Sequence, residues 1–179
     1  MKKILVVVDM QNDFIDGALG TPEAVGIVDN VVEKIRGEEW DIIFVTRDTH
    51  DDDYFETQEG QKLPIEHCIR TSRGWYLQED VHKAIKYSNA GTKQVFNKPT
   101  FGSITLATKL PKNMEVEFTI VGVCTDICVI SNALLLKARY PEMKIVVDAS
   151  CCAGSTPEKH KMALEVMKSC QIDIINEYI

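Results

Sequence analysis

The chain has 179 residues, 45% hydrophobic and 26% charged, a balance that fits one globular unit with a sizeable core and excludes a disordered chain. A formal net charge of -7 and a pI near 5.1 exclude binding through a nucleic-acid backbone, and no basic stripe offsets them. No apolar run reaches bilayer length and Met1-Lys-Lys leads straight into a strand, so no membrane partner is expected and the expected location is cytoplasmic.

Residues 3–9, Lys-Ile-Leu-Val-Val-Val-Asp, read as a parallel strand covered on both faces, because the apolar run is continuous rather than alternating. Thr21 then caps a helix opened by Pro22, with Val25, Val28, Val31, Val32 and Ile35 at helical spacing and Gly37 as its stop. Further strands are predicted over 41–46, 94–97, 116–123, 144–148 and 172–175, and further helices over 77–87, 103–110, 126–140 and 156–170. Pro141 stops the third of these helices and Thr156-Pro157 caps the fourth. This alternation predicts an α/β fold, a three-layer sandwich with a six-stranded, mostly parallel sheet in a single domain spanning 1–179. The irregular segment 48–74 is too long for a plain connection, and its flank of Trp75, Tyr76 and Leu77 suggests that it is anchored.

Six cysteines occur, but a domain of this length needs no disulfide framework and neither Cys124-x3-Cys128 nor Cys151-Cys152 has a standard redox or zinc-ribbon spacing. Reduced thiols are expected. Cys128 falls in the first turn of the helix after strand four, where unpaired N–H groups and the helix dipole favour thiolate over thiol. The carboxyl ends of the first four strands carry Asp9, Asp48, Lys98 and the Cys124 to Cys128 turn, at the edge where α/β sheets bind ligands. Taken singly, each has a bland explanation: a turn cap, a rim charge, a small buried hydrophobe. Together they supply a base, a cation and a nucleophile. Asp48, His50 and His67 form a set suited to zinc, iron or manganese, although three such residues in an acidic loop are more often solvated surface. Asp51, Asp52 and Asp53 read as a solvated charge run, and His82 and His160 as ordinary helix residues.

Three segments, Asp9-Met-Gln-Asn-Asp-Phe14, Lys98-Pro-Thr-Phe-Gly-Ser103 and Gly122-Val-Cys-Thr-Asp-Ile-Cys-Val129, resemble the signatures of the isochorismatase-like cysteine hydrolases, most closely the nicotinamidase/pyrazinamidase branch. The resemblance implies a catalytic triad of Asp9, Lys98 and Cys128, a cis bond before Cys124, and an oxyanion hole from the backbone N–H groups of Cys124 and Cys128. It also implies a divalent metal, zinc with iron or manganese as alternatives, on Asp48, His50, His67 and a fourth residue between the histidines. Glu59 is preferred over Glu56 for that position. Phe14 matches an aromatic that lines the substrate pocket, while Leu63-Pro-Ile-Glu replaces the aromatic expected before the metal histidine, leaving Trp75 or Phe101 to substitute. The implied activity is release of ammonia from nicotinamide or a similar small heteroaromatic carboxamide through a thioester, in a homo-oligomer of two or four chains. The alternatives are a metal-free relative acting on an N-carbamoyl C–N bond, an isochorismate hydrolase, and a non-catalytic metal-binding protein on the same fold.

Overall fold

Residues 4–8 of the first strand are completely buried, and they alternate between two separate apolar cores. Such a strand needs cover on both faces, which is how the chain is arranged in the computed structural model, where residues 1–177 are described. Strands β1 (Lys2–Val8), β2 (Ile42–Asp48), β3 (Thr92–Lys98), β4 (Val116–Val123), β5 (Lys144–Ala153) and β6 (Asp173–Ile175) form one sheet in the order β3-β2-β1-β4-β5-β6. Every neighbouring pair is parallel.

One face carries Ile4, Val6, Phe44, Phe118 and Ile120 against α6 (Ile104–Ala107), α7 (Ile130–Arg139) and α8 (Pro157–Ser169). The other carries Leu5, Val7, Ile43, Val45 and Val121 against α1 (Asn12–Ile15), α2 (Pro22–Gly26), α3 (Val28–Gly37) and α5 (Glu79–Tyr87). Each fully buried aliphatic side chain contributes about 1.5–3 kcal/mol, so the α/β sandwich expected from the sequence is held chiefly from both sides of β1 and β4. Among the described residues no helix is long and apolar enough to cross a membrane.

The differences from the expected elements have local causes. The helix predicted from Thr21 to Gly37 is two, because the chain turns at Ile27 (φ -92°, ψ -7°), and Val25 stays 51% exposed while Val28, Val31, Val32 and Ile35 face the sheet. Thr21 does cap α2, its hydroxyl accepting from the Ala24 N–H at 3.0 Å. β5 continues five residues past Asp148, so Cys151 and Cys152 are buried strand residues. A buried aspartate looked like a strand end, but here it is satisfied: Lys34 Nζ lies 2.8 Å from Oδ2, and Ser150 and Asn176 donate to the carboxylate.

Burial works against the Asp148 charge, yet these donors outweigh it and hold the carboxyl below its ordinary value. A depressed folded-state pKa stabilises above the unfolded value of about 3.9 and fades as pH falls through the folded one. Asp148→Asn is therefore expected to cost about 1–3 kcal/mol in urea melts at pH 7, with the difference from wild type shrinking steadily below pH 4. A gap independent of pH would contradict this.

The strand order reverses between β1 and β4, and the crevice outside their carboxyl ends is where such sheets take ligands. Gly122 lets the two strands close there. Its φ is +123°, and a Cβ would sit 2.0 Å from the Val8 carbonyl oxygen.

Candidate active site

Four adjacent strands deliver one group each to this edge: Lys98 from β3, Asp48 from β2, Asp9 after β1 and the Cys124 turn after β4. Asp9, Lys98 and Cys128 are 0%, 2% and 5% exposed. The stem of Lys98 crosses the end of β2, so that Nζ lies 2.6 Å from Asp9 Oδ2, 3.6 Å from Cys128 Sγ and 3.5 Å from Asp48 Oδ1. Asp9 is fixed from its other side by the Thr46 hydroxyl, which donates to Oδ1 at 2.7 Å. Its backbone has φ +48°, a left-handed conformation uncommon outside glycine and often found at functional sites.

The electrostatics correct one expectation. A sulfur in a first helical turn should favour the thiolate, but burial pushes the Cys128 thiol well above its ordinary value, and the Asp9 charge adds to the rise while Lys98 opposes it. Burial likewise raises Asp9, against the pull of Lys98 and with the help of Asp48. Lys98 goes up despite burial, because Asp9, Cys128 and Asp48 surround it. From the protein's own charges both the thiol and the neighbouring carboxylate bind protons more readily than usual, with the Lys98 ammonium between them. A thiol so raised becomes a nucleophile when a neighbouring base takes its proton, and the Asp9 carboxylate is the nearest base to offer.

The helix expected from residue 126 begins instead with a π-helical turn, Thr125–Val129, before α7. The Cys124 carbonyl accepts from both the Ile127 and the Val129 N–H groups, at 3.0 and 3.1 Å, the second being the i→i−5 bond that widens the turn. The Val123–Cys124 peptide is cis. Asp126 ties the turn to the loop after β5 by accepting from the N–H and hydroxyl of Ser155 at 2.7 and 2.6 Å. His160 is the half-buried helix residue expected, and its Nδ1 lies 2.8 Å from the hydroxyl of the fully buried Thr125.

Beside the triad, Asp48, His50, Glu59 and His67 each present one ligand atom, and all lie within 4.8 Å of one another. Asp48 Oδ2 is 3.1 Å from His50 Nε2 and 3.4 Å from His67 Nε2; Glu59 Oε1 is 3.8 and 3.7 Å from the same nitrogens. Donors about 2.1 Å from a shared cation stand about 3–4 Å apart, so the spacing suits one. The other ring nitrogen of His67 lies 2.9 Å from the Ile65 carbonyl, which leaves Nε2 free to ligate. Asp48 is held below the carboxylate range, since His50, His67 and Lys98 outweigh its burial.

The family model for the isochorismatase domain matches residues 3–177. The chain belongs to the isochorismatase family. Within that family it is 24% identical over 216 residues to the nicotinamidase of Saccharomyces cerevisiae, covering 98% of this chain and 100% of the yeast protein. The crystal structure of nicotinamidase/pyrazinamidase PncA from Bacillus subtilis superposes with a TM-score of 0.80 at 26% identity, covering 97% of this chain and 99% of that one. The pyrazinamidase of Pyrococcus horikoshii, solved in complex with zinc, gives 0.72 at 30% identity over 99% of this chain and 100% of its own.

In this isochorismatase-family chain the long segment after β2 is folded, not structureless. It forms a 3-10 turn at Tyr54–Glu56 and α4 (Gln58–Lys62), capped by Thr57. Tyr54, fully buried, sets its ring edge-on to His50 and His67 at centroid distances of 4.8 and 5.2 Å. The segment is pinned as the Trp75 flank suggested: Asn12 N–H donates to the Tyr76 carbonyl and Asp13 N–H to that of Gly74.

Sequence reasoning gave no role to Gln11 or Asp13, although both stand in a motif it had singled out. The Gln11 amide accepts from the Asp48 N–H and donates to the carbonyls of Asp48 and Trp75, while Asp13 Oδ2 accepts from the Cys68 N–H at 2.7 Å, next to His67. Of the expected pocket aromatics, Phe14 is packed 5.5 Å from the His67 ring and Phe101 is 43% exposed. Trp75 is buried, its indole N–H donating to the Thr49 hydroxyl at 2.8 Å and its ring covered by the Arg47 guanidinium at 3.8 Å, so it braces the ligand strand. A surface cleft of about 840 Å³, lined by Lys3, Trp40, Tyr87 and others, lies at the opposite edge of the sheet without a cysteine or histidine. Chemistry rather than depth locates the site.

Proposed function

We propose that this chain is a metal-dependent cysteine amidohydrolase that releases ammonia from nicotinamide or a similar small heteroaromatic carboxamide. The observation that carries the reading is the ammonium of Lys98 placed 2.6 Å from Asp9, 3.6 Å from the Cys128 sulfur and 3.5 Å from Asp48, itself one of a four-donor ligand group. The nicotinamidases and pyrazinamidase among its relatives support the same reaction and substrate class.

In this mechanism Asp9 takes the thiol proton as Cys128 attacks the amide carbonyl, and returns it to the leaving ammonia, giving a thioester. Water then enters, Asp9 takes one of its protons, and the acid leaves with the thiol restored. Lys98 keeps the charge that moves between carboxylate and sulfur balanced throughout. The N–H groups of Cys124 and Cys128 are proposed to receive the carbonyl oxygen as it gains charge, a role in which one donor is typically worth about a hundredfold or more in rate. Phe14 and Phe101 are proposed to flank the ring of the substrate.

Asp48, His50, Glu59 and His67 would hold the cation, zinc with iron or manganese as alternatives, which would offer a coordination position to a pyridine-type nitrogen. This donor group favours the amidase over a metal-free hydrolase of N-carbamoyl bonds. The proposal extends to a single cytoplasmic domain that works as a dimer or tetramer, which sedimentation velocity would test.

An ammonia-release screen against nicotinamide, pyrazinamide and aliphatic amides, with Cys128→Ala as the blank, tests the reading. Turnover only on the aliphatic amides would replace the substrate class. A second test addresses the ligand loop: Asp13→Ala, which strips the Cys68 N–H of its acceptor, is expected to weaken metal affinity about 10–100-fold in a chelator competition, with activity recovering in excess metal. Unchanged affinity would show that His67 is placed without Asp13.

A further inference from the structure

Asn132 lies one turn beyond Cys128 on α7 and is 1% exposed, yet it bonds to no side chain of Asp9, Lys98 or Cys128 and does not belong to the ligand group. A buried amide in a helix interior is costly unless its hydrogen-bonding groups are used. Here they are. Oδ1 accepts from the Ser103 N–H at 3.0 Å, and Nδ2 donates to the Cys128 carbonyl at 2.8 Å and to the Phe101 carbonyl at 3.3 Å. The orientation of the amide is unambiguous, since a backbone N–H requires the oxygen and two carbonyls require the nitrogen.

These partners belong to two separate parts of the site. Phe101 and Ser103 lie on the loop that leaves β3 directly after Lys98, and Cys128 lies in the π-helical turn after β4. β3 and β4 are not neighbours in the sheet; β2 and β1 stand between them. The loop rests directly on α7: a Cβ on Gly102 would meet Leu135 Cδ1 at 2.7 Å and Ser131 Cβ at 3.3 Å. The Cys128 carbonyl lies where the π-helical turn passes into α7, and the side-chain donor there holds the peptide that follows the sulfur.

We infer that Asn132 is a positioning residue that sets the separation between the ammonium of Lys98 and the sulfur of Cys128, by clamping the loop of the one to the carbonyl of the other. The inference rests on the amidase reading above and deepens it. All three of its bonds go to backbone groups rather than to a side chain of the site, so its loss should slow chemistry more than it weakens binding.

The test compares Asn132→Ala, which removes all three bonds, with Asn132→Thr, whose hydroxyl can still donate to the carbonyl four residues back while both loop bonds are lost. In the full-length protein, well below the melting temperature of each variant, kcat for the amide and the rate of Cys128 alkylation by iodoacetamide are measured together with KM. Misplacement of reacting groups by about 1 Å can cost on the order of a hundredfold. Asn132→Ala is therefore expected to lose at least about tenfold in kcat and in alkylation rate with KM within about threefold, and Asn132→Thr to lose less. Should the alanine variant not fold, the threonine variant alone carries the comparison against wild type. Wild-type kcat and alkylation with only a lower melting temperature would show a purely structural amide and overturn the inference, as would a loss confined to KM. Failure of the underlying amidase reading is distinct, because then wild type itself would release no ammonia, or Cys128→Ala would retain it.

Discussion

Replacing Cys128 with alanine is expected to lower ammonia release by on the order of 10⁴-fold or more, since a variant without the nucleophile keeps only what binding and the oxyanion donors supply. The fold should tolerate the change. Cys128 is 5% exposed within a core that includes Val129, Ala133 and Leu136, and the smaller side chain leaves only a sulfur-sized gap. Intact near-ultraviolet dichroism together with lost turnover is the expected pair of observations. Cys128→Ser is expected to fail nearly as badly, because the hydroxyl is a much weaker acid than the thiol and yields its proton to a carboxylate far less readily. Turnover within tenfold of wild type in either variant would remove Cys128 from the reaction.

Lys98→Met is the second large effect, and it should appear in stability as well as in rate. The ammonium touches two buried carboxylates, Asp9 at 2.6 Å and Asp48 at 3.5 Å, and its removal leaves two negative charges facing each other out of water. Breaking a buried ion pair from one side typically costs about 3–5 kcal/mol, which for a chain of this size is a fall in Tm on the order of 10 °C. In the wild-type protein the folded Lys98 pKa is raised, so its stabilisation is fully present below the unfolded lysine value of about 10.4 and is lost only as pH rises through the folded one.

In the variant, Asp9 loses the group that opposed its rise. A carboxylate whose folded pKa is raised destabilises increasingly as pH climbs from about 3.9 through the folded value. The deficit of Lys98→Met should therefore be smallest near pH 4 and widen toward neutrality, in melts of chelated and metal-supplemented protein alike. A variant that melts within a degree or two of wild type at neutral pH would show that the two carboxylates do not depend on this cation.

Much of the fold was legible along the chain because its cause is local. The uninterrupted run before Asp9 can only be a strand buried on both faces, and the same reasoning gives β4 its bounds of Val116–Val123. Thr21-Pro22 and Thr156-Pro157 marked real caps. The errors fell where a tertiary partner overrides a local signal: Asp148 did not end β5, because Lys34 from α3 reaches it, and Ile27 splits a helix whose apolar spacing looked continuous.

The residue types at the four strand ends came from sequence alone, since a parallel sheet sends all its carboxyl ends to one edge whatever the order of its strands. The order itself did not. Only the tertiary structure puts β1 between β2 and β4, so that the lysine of an edge strand spans its neighbour to reach Asp9 and the sulfur together, and only it shows the burial that pushes this thiol above its ordinary value. The same holds for Gln11, Asp13 and Asn132, which reach partners as far as 64, 55 and 31 residues away. A side chain's type is written at its own position, but the hydrogen bond that gives it a role depends on distances set by the packing of the whole sheet.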